Sequence, residues 1–249
     1  GNFLYVSLQR RAARGLQLLG SYTYGKLMSL PIVTDVATTT GISQTGGTVQ
    51  NMRNLDGDYS FDAIDVTHRG IASMLYDLPF GKNQHFLNKS AWLDRVVGGF
   101  QFNVIMTAET GRPLAFSGAN NSGTAIRPNF RPGVNIAVAH PTRTKWFNDQ
   151  AFINPDPYTF GNTPRYYSKV RGPGVLNFDM SIFKTTHITE RCALELRLEA
   201  FNAFNKTNLG QPNTGFTAGS NGLNTNSNMG VVLSSLPARQ VQLAANLHF

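Results

Sequence analysis

The chain ends on Val241-Gln242-Leu243-Ala244-Ala245-Asn246-Leu247-His248-Phe249, a stretch in which apolar and polar residues alternate. Because successive side chains of a β-strand point to opposite faces, a strand here would separate the two kinds of residue. One face would carry Val241, Leu243, Ala245, Leu247 and Phe249, and the other Gln240, Gln242, Ala244, Asn246 and His248. The alternation therefore predicts a β-strand with one apolar face. Soluble β-sandwiches also contain such strands, so the fold depends on the remainder of the chain.

The same alternation recurs along the chain and predicts further strands. The predicted strands lie near residues 3–10, 16–28, 68–78, 97–109, 175–186, 193–204 and 239–249. In the sixth, the alternation slips near Phe201–Phe204, which predicts a β-bulge there. The predicted fold class is all-β, with an antiparallel sheet of about seven strands.

The connections between these strands differ in length in a regular way. They are tight after strands one and five and moderate after strand three, but long and polar after strands two, four and six. Short turns at one end and long loops at the other are typical of outer-membrane β-barrels and not of sandwiches. A strand of about ten residues tilted by about 45° spans roughly 23 Å, close to the apolar band of such barrels. We therefore expect part of a transmembrane β-barrel, with short periplasmic turns and long extracellular loops.

Composition agrees with this expectation. Charged residues make up 14% of the chain, against about a quarter in ordinary soluble proteins. No apolar run approaches the roughly 18 residues that a transmembrane helix needs. The net charge is +8, but the basic residues are scattered and form no recognition motif, so we expect no nucleic-acid partner. The single cysteine, Cys192, excludes an internal disulfide.

Several short motifs occur in a fixed order along the chain. They are Gly20-Ser-Tyr-Thr-Tyr-Gly-Lys26, His68-Arg69, Asp77-Leu-Pro-Phe-Gly-Lys82, Gly98-Gly-Phe-Gln-Phe102, Thr110-Gly-Arg-Pro113, Arg171-Gly-Pro-Gly174, Asn177-Phe-Asp179, Phe183-Lys184, Glu199-Ala-Phe-Asn-Ala-Phe-Asn205 and Asn208-Leu-Gly-Gln-Pro212. Together they resemble the C-terminal barrel region of TonB-dependent outer-membrane receptors. The most similar subgroup is the Oar-like one, of acidobacterial type, whose members carry an N-terminal carboxypeptidase-regulatory-like domain.

The resemblance implies a barrel of about 22 strands in the bacterial outer membrane, filled by an N-terminal plug. It implies uptake of a nutrient such as a siderophore, cobalamin, a glycan or a peptide, which binds on the extracellular side and enters when TonB acts. Seven strands cannot close such a barrel, and the sequence contains neither a plug nor a TonB box. We therefore expect residues 1–249 to be the C-terminal portion of a longer receptor.

Partners follow from the same resemblance. We expect contacts with the missing plug and barrel strands of the same receptor, with the TonB complex through the plug, and with outer-membrane lipid and lipopolysaccharide. The strand ending in Phe249 would be recognised by the barrel-assembly machinery. The small ligand itself stays unidentified.

Candidate sites are few, and we expect no catalytic residue, cofactor or metal ion. Asp56-Gly57-Asp58, with Asp62 and Asp65, could coordinate calcium, but the spacing differs from an EF-hand and a solvated acidic loop is favoured. Gly20–Lys26 has glycines and lysine at phosphate-loop spacing. Leu27 follows in place of Ser or Thr, and the segment lies inside a predicted strand, which disfavours nucleotide binding.

Two further groups bear on function. Glu195 and Glu199 would line the lumen of a barrel, with Arg197 between them balancing their charge. The aromatic residues of the longest loop could stack on a ligand such as a sugar or a chelate, although packing within the loop or at the membrane interface is favoured; they are Tyr158, Phe160, Tyr166 and Tyr167.

The principal alternative is a secreted or surface-attached β-rich binding module, such as an adhesin or a lectin. It predicts that the apolar strand faces pack against a second sheet. An enzyme is not expected, because no nucleophile motif occurs.

Overall fold

The computed structural model describes residues 1–13, 15–30, 49–51, 53–80, 96–119, 127–189 and 192–249. The main sheet has seven strands, paired antiparallel in chain order. The strands are β1 (Asn2–Ala13), β2 (Leu16–Lys26), β3 (His68–Asp77), β4 (Phe100–Glu109), β5 (Val175–His187), β6 (Ala193–Phe201) and β7 (Gln240–His248). The predicted all-β fold is confirmed. The sheet is open, because β1 and β7 are its two edges.

Parts of five predicted connections lie outside the described residues: 14, 31–48 with 52, 81–95, 120–126 and 190–191. No helix within the described ranges is long and apolar enough to cross a membrane.

The predicted bulge in the sixth strand is wrong. β6 ends at Phe201, and Asn202 follows with a φ of 48°. Asparagine tolerates this left-handed conformation better than most residues. Its side chain closes the turn, because Asn202 Oδ1 accepts from the Lys206 N–H at 2.9 Å and Asn202 Nδ2 donates to the Lys206 carbonyl at 2.9 Å. The slip in alternation therefore marks the end of the strand.

The register assembles one continuous apolar face. Directly opposed residues of antiparallel strands project from the same face of a sheet. One such row across β2–β7 contains Leu18, Met74, Val104, Met180, Ala200 and Val241. The row on the opposite face, one residue along each strand, contains Gln17, Leu75, Asn103, Ser181, Glu199 and Gln242. Each of these six strands thus contributes to a shared apolar face and a mostly polar one.

In β6 two leucine side chains are more exposed than the acidic ones, which is the reverse of a sheet in a soluble protein. Leu196 and Leu198 in β6 are 45% and 41% exposed, whereas the side chains of Glu195 and Glu199, which flank this pair, are 22% and 20% exposed. Within the described part of the chain, no apolar side chain of β1–β7 is classed as buried. Among these described residues no second sheet packs against the apolar face, so the sandwich alternative lacks the packing that it requires.

The buried core lies in the connections. Its aromatic centre is Phe116, Phe147 and Phe152, with ring centroids 4.4–6.1 Å apart. Phe216 and Met229 from a different connection complete it. We call this body the loop domain: the described residues of 49–65, 110–174 and 202–239. It lies at the end of the sheet where the three long connections emerge.

Gly111 allows two of the sequence motifs, residues 110–113 and 171–174, to approach each other closely in the fold. Residues 110–113 and 171–174 lie side by side at the base of the loop domain, where the Gly172 N–H donates to the Arg112 carbonyl at 2.9 Å. A Cβ on Gly111 would overlap the carbonyl oxygen of Gly172. Only a residue without a side chain fits this approach.

We predict that Gly111→Ala destabilises the loop domain by about 1–3 kcal/mol, since the two backbones must separate. Gly57→Ala is the control, because a Cβ there has no neighbour within 4 Å. Thermal melting of the purified protein, followed by protease sensitivity of the loops, measures the difference. Equal melting of the two variants would contradict the steric argument.

Candidate ligand-binding site

Buried ion pairs tie the connections of the loop domain together. Arg127 Nη2 donates to Asp58 Oδ1 at 2.5 Å, and the two side chains are 6% and 2% exposed. Arg171 Nη2 donates to Asp65 Oδ2 at 2.6 Å, with Asp65 1% exposed. Each pair joins the connection after β2 to the connection after β4. The two ion pairs therefore hold these connections together.

The acidic segment is therefore neither the calcium site considered from sequence nor the solvated loop that was favoured. Asp58 and Asp65 are buried and neutralised by arginine, and Asp62 Oδ2 accepts from the Ser29 hydroxyl at 2.6 Å. Asp56 alone among the four is exposed. A carboxylate surrounded by protein finds a cation partner because burial of an unpaired charge is costly. Among the described residues, no group of three or more acidic, histidine or cysteine side chains could hold a metal ion.

The aromatic residues of the longest connection have different surroundings. Tyr166 is buried, with the Arg165 guanidinium over its ring at 5.2 Å. Tyr167 packs on Phe130 with ring centroids 5.1 Å apart. Burial raises the pKa of both phenols, so they stay neutral at physiological pH. These two pack within the loop domain, as the sequence favoured, whereas Tyr158 and Phe160 are 89% and 52% exposed.

A polar pocket opens beside Phe160. Its volume is about 350 Å³, within the range of roughly 300–1,000 Å³ that small-molecule sites occupy. The lining residues are Gln50, Asn51, Asn54, Gly57, Asp58, Arg127, Phe160, Gly161, Asn162, Thr163 and Pro164. From sequence, Asp58 is a candidate calcium ligand and Phe160 a candidate stacking residue. The structure places both in the lining of this pocket.

Gln50 fixes the walls of this pocket relative to each other. Its Nε2 donates to the Gly161 carbonyl at 2.9 Å, and its Oε1 accepts from the Arg127 N–H at 2.9 Å. The backbone N–H of Gln50 donates to Asp58 Oδ2 at 3.1 Å. One side chain thus connects three segments that are distant in sequence, and nothing in the local pattern around residue 50 indicates that role.

The polar face of the sheet carries the charges predicted for a lumen. Arg197 bonds Glu195 at 2.9 Å and lies 3.7 Å from Glu199, so the predicted pairing is present. Gln101 and Asp77 form a further polar contact at 2.6 Å. Gly20–Lys26 lies within β2 and opens no helix, so it lacks the geometry of a phosphate loop.

An open sheet with an exposed apolar face, a charged opposite face and long connections at one end defines a transmembrane β-barrel segment. The sequence agrees, because residues 1–242 match the family described as outer membrane beta barrel domain. The chain belongs to this family, and it is located in the bacterial outer membrane. Comparisons with curated proteins and with solved structures found no match.

Proposed function

We propose that the chain is part of a TonB-dependent receptor that takes up a nutrient across the outer membrane. The observation that carries this proposal is the loop domain, which presents a preformed polar pocket at the end of the sheet with the long connections. Loops that fold into a body with its own aromatic core offer a rigid surface on which a ligand can be captured. The order of the sequence motifs supports the same class.

In this proposal the loop domain captures the ligand, and the polar sheet face lines the route that the ligand follows. Charges such as Arg197 and Glu199 would contact a plug domain, whose rearrangement through TonB releases the ligand inward. The unpaired edges of β1 and β7 would pair with further barrel strands, since an open edge in lipid leaves backbone groups unsatisfied.

We also propose that the chain is not an enzyme. The buried carboxylates Asp58 and Asp65 are held by arginine, and Glu195 is held by Arg197. An acid so paired is poorly suited to act as a general acid or base near neutral pH.

Energy dependence tests the proposal. Cells with and without the gene would be offered ferric citrate, cyanocobalamin, maltoheptaose and a tetrapeptide, each labelled. We expect one class to accumulate only in cells that have the gene, and a protonophore or deletion of TonB should abolish the accumulation. Uptake that depends on the gene but persists in de-energised cells would identify a passive pore and contradict the proposal.

A further inference from the structure

We propose that the polar pocket beside Phe160 binds a neutral saccharide. The inference rests on the proposed receptor function and adds the chemical class of the ligand. The pocket has three properties that together define that class: neutral walls, several unused hydrogen-bond donors and one apolar ring at its opening.

Charge is the first property. Among the described residues of the lining, the charged side chains are Arg127 and Asp58, and they neutralise each other through a buried ion pair. Carboxylate and phosphate ligands are recognised by arginine or lysine side chains that are available to them. A pocket whose cation is already bound to an internal carboxylate disfavours ligands of that kind. The neutral walls therefore favour a ligand without formal charge.

Hydrogen-bond donors are the second property. The side-chain oxygens of Asn51, Asn54 and Asn162 accept from the backbone N–H groups of residues 53, 56 and 130 at 3.0, 3.2 and 2.8 Å. Only the oxygen of an amide can accept such a bond, so the orientation of each group is fixed. Within the described part of the chain, the three amide nitrogens donate to no protein group. Three oriented amide donors suit a ligand rich in hydroxyl oxygens.

The Thr163 hydroxyl adds a fourth polar group. Thr163 is 1% exposed and lines the pocket, and its Oγ1 has no hydrogen-bond partner among the described residues. A buried hydroxyl without a partner costs stability. The oxygen is shielded from solvent, so a ligand would supply the partner once a neighbouring side chain of the pocket lining moves aside. A hydroxyl both donates and accepts, so it matches the hydroxyl of a sugar ring.

Phe160 supplies the third property. Its ring lines the pocket yet is 52% exposed. The negative face of an aromatic ring attracts the positive edge of C–H groups, which a pyranose presents on one side while its hydroxyls point elsewhere. The neighbouring walls are fixed through Gln50 and through Asn162, whose N–H donates to Asn129 Oδ1 at 2.8 Å. A preformed pocket of this kind avoids an ordering cost when the ligand binds.

Titration calorimetry on the protein purified in detergent tests the inference. The probes are cellobiose, maltose, lactose and xylobiose, with cellobionic acid as the anionic counterpart. We expect saturable binding of at least one neutral disaccharide and weaker binding of the acid. Phe160→Ala and Thr163→Val should each weaken binding about five- to tenfold, as expected for the loss of one good contact.

Tyr158→Asn is the matched control, because Tyr158 is an exposed aromatic of the same connection outside the pocket lining. Asparagine also tolerates the φ of 62° at that position. The control should bind as the parent does. Because Thr163 is buried, binding by Thr163→Val counts only if this variant melts at the same temperature as the parent protein. Phe160 is exposed, so Phe160→Ala tests binding without affecting the fold.

Two results would overturn the inference: no saturable binding by any neutral disaccharide, or affinities that Phe160→Ala and Thr163→Val leave unchanged. The binding assay requires neither TonB nor membrane energy, so it is independent of the uptake test. Energy-dependent uptake that is unaffected by the pocket variants would refute the pocket and leave the receptor function standing. Saccharide binding through the pocket without energy-dependent uptake would support the pocket and refute the receptor function.

Discussion

Replacing Val104 with arginine should prevent the protein from assembling in the outer membrane. Val104 lies near the middle of β4, directly opposite Met74 on one side and Met180 on the other. This row belongs to the apolar face of the sheet, which lipid covers in a barrel. An arginine on the lipid face costs about 2–4 kcal/mol at the bilayer midplane. Such a cost is a large fraction of the stability of a typical protein.

Asn103→Arg is the control at the same depth. Asn103 precedes Val104, so its side chain projects from the opposite face, opposite Ser181 and in the same row as Glu199. There an arginine would lie on the polar face, in a row that also holds a carboxylate two strands away, instead of contacting lipid. Heat-modifiable gel mobility and recovery in the outer-membrane fraction measure assembly. Equal assembly of the two variants would contradict the assignment of faces.

The strands could be predicted from sequence because their signal is local. In β6, leucines alternate with charged residues one position apart, and period-2 alternation needs no knowledge of the partner strand. The ends of the strands were less certain, because they depend on turns. Asn202 adopts a left-handed conformation that the alternation around it does not encode.

The loop domain could not be predicted, because its contacts are distant in sequence. Asp58 and Arg127 are 69 residues apart, and Asp65 and Arg171 are 106 residues apart. The sequence therefore predicts a solvated acidic segment, because the arginines that pair with it are not its neighbours along the chain, Arg53 and Arg69. Phe160 and Tyr158 likewise look equivalent in sequence, and only the fold places one in the pocket lining and leaves the other outside it.

Replacing Asp65 with alanine should open the loop domain while the strands stay assembled. Asp65 Oδ2 accepts from Arg171 Nη2 at 2.6 Å, and its Oδ1 accepts from the Leu27 N–H at 2.6 Å. Alanine leaves the arginine and the backbone donor without their partner. Removing one member of a buried ion pair costs about 3–5 kcal/mol, because the other charge remains buried.

Two variants separate charge from hydrogen bonding at this position. Asp65→Asn keeps an acceptor for the Leu27 N–H and loses only the charge, so we expect a smaller effect than with alanine. Asp56→Ala removes an exposed carboxylate of the same connection, and a surface change of this kind alters stability by less than about 0.5 kcal/mol. Hydrogen exchange of the loop domain and trypsin cleavage on intact cells rank the variants by how strongly each one destabilises the loop domain.

The assembly readout locates the defect. Asp65→Ala should keep heat-modifiable mobility, because residue 65 lies outside β1–β7 and contacts them only through the connections. Faster exchange confined to the loop domain would then show that the ion pair with Arg171 stabilises the loops independently of the strands. Parental exchange in Asp65→Ala would contradict a structural role for this pair. Loss of assembly would instead mean that the loop domain must fold before the sheet can insert, and so refute the independence of the two bodies.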